Sequence, residues 1–528
     1  MTDLERMTRL CVPIFVTDLA MARRDIAAAA AAGADLVELR IDKLEDIEDM
    51  ETLLSEKVCP AIVTCRPTSE GGFSTLGDEA RTTRLTGAAA GERADYIDLE
   101  LATVLRHPTL LERKIGGGII LSAHDLSAKP ANLEDLVHQM NRLPAQVNKI
   151  VWQAQNIGEN LQALKLLTDS SRPMIALCMG EAGTVSRILA RKFGAFLTFA
   201  SLNAESATAP GQLTIADMKT LYRWDALGPH TKVYGVVAHP VRHSMSPAIH
   251  NAAFTAAGYD GVYLPMLVEP DYQSFKSFLD GFLEFPGMDL AGLSVTIPHK
   301  ANSLRYLKES GAAVEELAER IGAVNTLVVR RPGGSAPVLS GKNTDYAAIL
   351  DSITAELEIG RDGLGDLHVA VLGAGGTSRA AVAALAHYGA TILLANRTHD
   401  RAQALADEFN NRRGSVSAVS FDELCRGDWD VFINTTSVGM FPNVDETPFW
   451  DRRPPFSAKT IVFDTVYNPM QTRLLTQGQS LGARTISGVE MFVRQAAAQF
   501  ETWTGLPAPE AVMRRVIADR LGTPLHHK

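Results

Sequence analysis

A repeating strand–helix period is the feature that most narrows what this chain can fold into. Short apolar, β-branched runs recur at 10–16, 36–42, 61–66, 96–101, 119–125, 149–154, 174–180 and 196–202. Between them lie stretches of helical character, such as 18–32 and 160–168. Strands apolar on both faces and alternating with helices belong to parallel sheets, because each crossover helix covers a face. Eight such repeats in about 200 residues match the count and size of a (β/α)8 barrel. An open, doubly wound sheet of eight strands is the competing architecture on pattern alone.

In barrels of this kind the chemistry sits where strands end and the following loops begin. Those places hold Glu38, Arg40, Asp42, Arg66, Glu70, Asp98, Glu100, His124, Asp125 and Lys149, with Arg187 after the seventh run. Charged groups within strands are costly unless paired or used. One or two would be structural ion pairs; this many on one rim point to a polar pocket for a small anion. Lys149 opens the run Lys-Ile-Val-Trp-Gln and, with Val151 and Gln153, is placed to face the barrel interior. A lysine desolvated near other cations can present a neutral amine to a ketone; a lysine at an arbitrary strand start keeps its amine in solvent. His124 lies on the preceding strand, about 4.8 Å away across the ladder, and so is a candidate proton shuttle for the same substrate.

The rim must supply its own cations, because the chain as a whole is anionic. Its 61 acidic and 51 basic side chains give a formal charge of −10, which gives no electrostatic basis for nucleic acid or an anionic membrane as partner. No apolar run reaches the length of a membrane span, and the first residues lack a signal or transit pattern. The five cysteines, Cys11, Cys59, Cys65, Cys178 and Cys425, are scattered without a Cys-x-x-Cys pair. That fits a reducing, cytoplasmic setting and predicts no metal site. At 528 residues the chain needs several domains.

Five segments of the first half, Val37-Glu38-Leu39-Arg40, the stretch Thr64 to Gly72, Ser122-Ala123-His124-Asp125, Ser186-Arg187 and Ala209-Pro210-Gly211-Gln212, resemble type I 3-dehydroquinate dehydratase in order and spacing. The resemblance implies an imine between Lys149 and the substrate's C3 ketone, with His124 removing the adjacent C2 proton and helping the C1 hydroxyl leave as water. Arg187, Thr208 and Gln212 would hold the carboxylate, with Thr208 standing where serine is commoner. Glu38, Arg40 and Arg66 would orient ring hydroxyls, and Glu70, on a lid, would position His124.

A polar helix is expected from Gln212 to about Trp224, and Gly228-Pro229 after it is a stop signal. Beyond this boundary an apolar strand runs into Gly373-Ala374-Gly375-Gly376-Thr377 and then an alanine-rich helix. Glycines there let backbone approach a pyrophosphate at a helix N-terminus; alone, such a loop is also an ordinary strand–helix turn. The next strand, 391–395, ends in Asn396-Arg397-Thr398. An NAD-preferring site carries an acidic residue at this place; Arg397 suits a 2′-phosphate instead, so NADP is the expected cofactor. Upstream, Ser244 and Ser246 stand before a helix, where paired hydroxyls suit a carboxylate or merely cap the helix.

Four further stretches follow in order: 293–300, 322–326, 341–345 and 434–440. With Asp464-Thr465-Val466-Tyr467 and the segment 488–495, they resemble shikimate dehydrogenase. The resemblance implies reduction of 3-dehydroshikimate by NADPH, with Lys300 and Asp345 as the catalytic pair. Ser244, Ser246 and Tyr467 would bind the carboxylate, Thr296, Asn325 and Gln495 the hydroxyls. Gly373, Ala374, Gly375, Gly376, Thr377, Asn396, Arg397, Thr398 and Gly488 would hold the cofactor. Two positions depart from the family pattern: His239 and Ser294 stand where asparagine is usual, and Ser294 leaves quinate open as a substrate.

The expected class is therefore α/β: a TIM barrel over 1–227, then a two-lobed dehydrogenase. Its substrate lobe covers 228–345, its Rossmann-like NADP lobe 346–483, and helices from 484 to 528 return to the substrate lobe. The expected partners are small molecules alone. A sensor that has lost catalysis is the rival from another class; retention of Lys149, His124, Lys300 and Asp345 argues against it. A catabolic enzyme oxidising quinate or shikimate with NAD is the nearer rival, and Arg397 argues against that.

Overall fold

The computed structural model describes residues 7–44, 50–88, 93–112, 118–209, 211–410 and 414–522. They form two compact units, the first comprising 1–247 and 260–290, the second 248–259 and 291–528.

Within the first unit, eight parallel strands follow the expected runs closely. They are β1 (Arg9–Phe15), β2 (Leu36–Arg40), β3 (Ala61–Thr64), β4 (Tyr96–Glu100), β5 (Ile119–Asp125), β6 (Val147–Gln153), β7 (Met174–Met179) and β8 (Leu197–Phe199). The ladder runs β7-β6-β5-β4-β3-β2-β1-β8. Phe196 N donates to Met174 O at 2.8 Å across the remaining seam between β7 and β8, so the sheet is a nearly closed barrel and not an open one. Strands such as β2 and β7 are buried along their whole length, as two-sided cover by helices requires. The first helix, Leu19–Ala31, begins where Asp18 accepts a hydrogen bond from Met21 N at 2.7 Å, which satisfies one orphan donor of the first turn.

Two local expectations are corrected. Lys149 does not open its strand: β6 begins at Val147, and Lys149 pairs in register with Ser122, one layer below His124, which faces Val151. The segment before Trp224 is not a regular polar helix. Over Asp217–Leu221 it widens into a π turn in which Tyr222 N reaches Asp217 O at 2.9 Å. Tyr222 and Trp224 are both buried, and that apolar anchoring outweighs the polar pattern around them. The same unit continues into β9 (Lys232–Ala238) and β10 (Gly261–Leu267), a parallel pair, and the helix Tyr272–Glu284.

In the second unit, β11 (Leu290–Val295, its first residue lying in the first unit) runs antiparallel to β13 (Thr326–Arg330), which runs antiparallel to β14 (Val338–Lys342). The short β12 (Ala313–Val314) lies parallel to β14. A second sheet is formed by β15 (His368–Leu372), β16 (Thr391–Ala395), β17 (Ser415–Ala418), β18 (Val431–Asn434), β19 (Ile461–Asp464) and β20 (Arg484–Ile486). Its order, β17-β16-β15-β18-β19-β20, is entirely parallel and reverses direction beside β15, the Rossmann arrangement in which ligands sit at the switch point. The long helix Gly488–Thr504 returns to β13: Trp503 Nε1 donates to Leu327 O at 3.0 Å and Gln499 Nε2 to Thr326 Oγ1 at 3.1 Å.

Candidate active sites

The barrel encloses a cavity of about 340 Å³ at the C-terminal ends of its strands. Glu38, Arg40, Arg66, Glu70, His124, Lys149, Arg187, Thr208 and Gln212 all line it, together with Val151, Gln153, Met179 and Phe199. Period two explains part of this set: Lys149, Val151 and Gln153 alternate along β6 onto the inner face.

Lys149 Nζ lies 2.9 Å from Asp98 Oδ2 and 3.5 Å from Glu38 Oε1, and 4.7 Å from the centre of the Phe199 ring. The charged neighbours that touch Nζ are thus carboxylates, where cations were the expectation. Asp98 also meets Arg66 Nη2 at 2.7 Å and accepts from Ser122 Oγ at 2.5 Å. Arg66 continues to Glu100 at 2.8 Å, and Glu100 to the fully buried Arg81 at 2.6 Å. Burial alone would raise the Asp98 carboxyl; Arg66 and Lys149 more than reverse this and hold it far below the usual range. It is a fixed anion.

His124 Nδ1 lies 2.9 Å from Glu70 Oε2. Burial, reinforced by Arg66 and Lys149, holds the imidazole well below its ordinary value, so the ring is neutral at physiological pH. Burial also pushes Glu70 up to about 7. The two groups share a hydrogen bond whose proton belongs to the pair. When Glu70 is ionised, Nδ1–H donates to it and Nε2 is left as a free base.

Arg187 is buried, its Nε has no hydrogen-bond partner, and desolvation pulls it down to about 10. Still charged at neutral pH and without a described carboxylate partner, it is a receptor for an anion brought by a ligand. Thr208 and Gln212 tie their loop together, Gln212 Oε1 accepting from Thr208 N at 2.7 Å and from Thr208 Oγ1 at 3.1 Å. Two other rim carboxylates are structural. Asp42 pairs with Arg40 at 2.5 Å and accepts from Arg66 N and Phe73 N, pinning the loop that carries Glu70. Asp125 accepts from Ser127 N at 2.9 Å and Ala128 N at 3.1 Å.

In the second unit, Lys300 Nζ lies 2.5 Å from Asp345 Oδ2. Each stands at the start of a helix, Lys300–Glu309 and Thr344–Leu357. Asn343 caps the latter, its Oδ1 accepting from Asp345 N at 3.0 Å. Asn325 is buried beside them: its Oδ1 accepts from Thr344 N at 2.8 Å and Thr326 Oγ1 at 2.7 Å, and its Nδ2 donates to Thr344 Oγ1 at 3.1 Å. One amide hydrogen remains for a ligand, and Asn325 also fixes the helix end that presents Asp345, a role its sequence position does not disclose. Thr296 follows β11, its carbonyl accepting from His299 N at 2.8 Å. Tyr467 stacks on Phe492 with centroids 5.0 Å apart, and Gln495, three residues on, shares that helix face. Ser244 and Ser246 lie in the first unit, Ser246 N donating to Ser244 Oγ at 3.3 Å.

A cavity of about 800 Å³ opens at the switch point of the second sheet. Gly373, Ala374, Gly375, Asn396, Arg397 and Thr398 line it, joined by Arg401, Ser420 and the stretch Thr435 to Val438. Gly373 has φ +116°, and a Cβ there would meet Thr435 Oγ1 at 2.5 Å, so only glycine suits this turn. Arg397 and Arg401 are exposed and, among the described residues, pair with no carboxylate. Arg401 sits in the first turn of the helix His399–Phe409, four residues after Arg397, and its sequence position alone does not assign it to the site. Gly376, Thr377 and Gly488 do not line the cavity. The first two begin the helix Gly376–Tyr388, while a Cβ at Gly488 would meet Val466 O at 2.4 Å, which makes that glycine a packing requirement. Among the described residues no cluster of side chains is suited to a metal ion, and no helix is long and apolar enough to cross a membrane.

Family models match four stretches of the chain: type I 3-dehydroquinase over 10–229, the shikimate dehydrogenase substrate binding domain over 236–327, shikimate / quinate 5-dehydrogenase over 355–440, and the shikimate 5'-dehydrogenase C-terminal domain over 488–518. The chloroplastic bifunctional 3-dehydroquinate dehydratase/shikimate dehydrogenase of Arabidopsis thaliana is 37% identical over 525 residues, 96% of this chain and 84% of that protein. The shikimate dehydrogenase (NADP(+)) of Moorella thermoacetica is 40% identical over 304 residues, 55% of this chain and 94% of that one. Among solved structures, the dehydroquinate dehydratase and shikimate dehydrogenase of S. pombe is 26% identical, covers 97% of this chain and 98% of its own, and superposes with a TM-score of 0.44.

Proposed function

Because the chain belongs to the family of bifunctional 3-dehydroquinate dehydratase/shikimate dehydrogenases, we propose that it turns 3-dehydroquinate into 3-dehydroshikimate and then reduces that product to shikimate with NADPH. The observation that carries the reading is the barrel cavity, where Lys149, a neutral His124 and an unpaired Arg187 converge.

In the dehydratase, Arg187 with Thr208 and Gln212 receives the carboxylate. Lys149 attacks the C3 ketone and expels its oxygen as water, leaving a cationic imine that acidifies C2. His124 Nε2, with Nδ1 held by Glu70, takes that proton and returns it to the departing C1 hydroxyl. Glu38 and Arg40 orient ring hydroxyls; Arg66, paired with Asp98 and Glu100, acts by fixing the charged floor of the site.

In the dehydrogenase, the cavity beside Gly373 fits a dinucleotide, with the turn Gly373 to Gly375 for its pyrophosphate and Arg397 and Arg401 for a 2′-phosphate. NADPH bound there supplies the hydride. Lys300, oriented by Asp345, gives a proton to the oxygen that becomes a hydroxyl. Ser244, Ser246 and Tyr467 hold the carboxylate, and Thr296, Asn325 and Gln495 the hydroxyls. The functional segments we assign are 1–227, 228–345, 346–483 and 484–528, the last opening not on a helix but on β20 (Arg484–Ile486), which completes the parallel sheet of the segment before it. Five unpaired cysteines support a reducing compartment, and we assign the cytoplasm.

The test follows enone formation and NADPH consumption separately after 3-dehydroquinate is added. Both should be seen; absence of both sinks the assignment. Borohydride with substrate should add mass to the peptide containing Lys149, and labelling elsewhere refutes the imine.

A further inference from the structure

We propose that Asp98 is the counter-ion of the Lys149 imine, a catalytic carboxylate of the barrel in its own right. The proposal rests on the imine reading above and deepens it.

The chemistry conserves charge at one atom. An ammonium and a ketone give a protonated imine and water: the C–N bond forms, the C–O bond breaks, and the carbonyl oxygen leaves with two of the three ammonium protons. One positive charge stands at Nζ before and after. A carboxylate fixed beside Nζ holds that charge in both states without rearrangement, so the cationic imine forms with its counter-ion already in place.

Asp98 is built for this task. It is fully buried and its Oδ2 lies 2.9 Å from Nζ. It cannot swing away, because Arg66 holds Oδ2 at 2.7 Å and Ser122 holds Oδ1 at 2.5 Å. Arg66 is in turn fixed by Glu100, and Glu100 by Arg81. The other charged groups facing this pair are less suited. Glu38, from β2, lies farther from Nζ at 3.5 Å, and its Oε1 also accepts from Thr64 Oγ1 at 2.9 Å. Glu70, on the loop after β3, bonds His124. Arg40 pairs with Asp42, and the Cys11 thiol from β1 is pushed up by burial and stays neutral.

A counter-ion keeps the imine protonated, and only the protonated imine withdraws electrons from C2. Removing the charge should let the imine lose its proton at lower pH. In Asp98→Asn, the alkaline limb of the dehydratase kcat profile should move down by about one to three pH units, the usual effect of one close opposite charge. The KM at pH 6 should change by less than about threefold, since Arg187 still binds the carboxylate. Ser122→Ala, which loosens Asp98 without removing its charge, should move the limb in the same direction by less. Asparagine keeps the shape of Asp98, and if that variant does not fold, the serine variant carries the test.

A uniform loss of kcat with an unmoved limb in both variants would show a purely structural carboxylate and overturn the proposal. Trapping by borohydride in the unsubstituted protein separates the two levels. No label at Lys149 there defeats the imine reading itself; a label there with an unmoved limb in the variants defeats only the counter-ion.

Discussion

The two candidate sites handle charge in opposite ways. The barrel surrounds its lysine with a continuous buried network: Lys149 to Asp98, Asp98 to Arg66, Arg66 to Glu100, Glu100 to Arg81. The dehydrogenase isolates one pair, Lys300 with Asp345, and builds the rest from amides and hydroxyls such as Asn325, Thr326, Thr344 and Gln499. The difference follows from where each reaction keeps its positive charge. On the proposed imine reading the barrel lysine becomes part of the intermediate, so the protein would hold a cation through several steps. On the proposed reading of the dehydrogenase the lysine would give one proton and take it back, and one partner that orients it would be enough. Covalent catalysis therefore needs a fixed floor of charge, while proton donation beside a bound cofactor needs only an aimed group.

Removing either lysine should have the largest effect. Lys149→Ala should lower dehydratase kcat by about ten-thousandfold, since no imine forms, and leave NADPH oxidation with added 3-dehydroshikimate within about twofold. Lys300→Ala should do the converse, with a smaller loss of about a hundred- to a thousandfold, because general acid catalysis is worth less. Separate assays of the two steps read both. Comparable losses in the two would contradict the distinction drawn above.

The next effect is on the cofactor. Arg397→Ala should raise the KM for NADPH by about ten- to a hundredfold, the worth of a charged hydrogen bond of about 1.5–3 kcal/mol, and leave the KM for NADH nearly unchanged. Arg401→Ala should do the same more weakly. Steady-state kinetics with both cofactors measure the ratio, and equal losses for NADH would assign the arginines to the shared part of the molecule.

How far the sequence discloses these sites depends on how each residue type reports its surroundings. The barrel strands are legible because two-sided burial leaves unbroken apolar runs, and a charged residue inside one stands out. Glu38, Lys149 and His124 stand out that way. The place of Asp98 beside Lys149 does not, because its position on β4 looks like any other rim carboxylate until the register sets β4, β5 and β6 side by side. The layer offset between Lys149 and His124 likewise depends on register, which no local pattern encodes. Asn325 illustrates the same limit in the second unit: its neighbour Thr344 is nineteen residues away in sequence and 2.8 Å away in space. The π turn before Trp224 was hidden because two buried aromatics decide it against a polar helical pattern.

Glu70 gives the barrel site a pH dependence of its own. Its carboxyl is pushed up to about 7 by burial, and His124 has a free Nε2 only when Glu70 is ionised. Dehydratase activity should therefore rise as pH passes through about 7, and Glu70→Gln should remove that limb at a cost of about tenfold in rate. Stability moves the other way. A carboxyl whose folded value exceeds its ordinary 4.5 favours the folded state only while protonated, so it weakens the fold progressively from about 4.5 to about 7 and fully above that. Glu70→Gln should thus raise stability by about 1–3 kcal/mol at pH 8 and leave it unchanged at pH 4. Thermal melts at the two pH values check the sign, and no gain at pH 8 would place the burial cost elsewhere.

The smallest expected effect concerns selectivity in the second site. Ser294 is buried on β11 directly opposite Thr326, the neighbour of Asn325, and stands where the resemblance to shikimate dehydrogenase implies an asparagine. A serine reaches less far than an asparagine and offers one hydroxyl in place of an amide donor and acceptor. The space this leaves beside the ring should tolerate an added hydroxyl, so quinate should be oxidised measurably alongside shikimate. Ser294→Asn should then raise the ratio of shikimate to quinate kcat/KM by about three- to tenfold, within what one neutral hydrogen bond supplies at roughly 0.5–1.5 kcal/mol. The change should fall on quinate and not on Lys300, whose pairing with Asp345 does not involve β11. If both substrates lose activity equally, the serine is holding Thr326 and Asn325 in place and not selecting the ring, and the neutral part of this site is as dependent on its framework as the charged floor of the barrel.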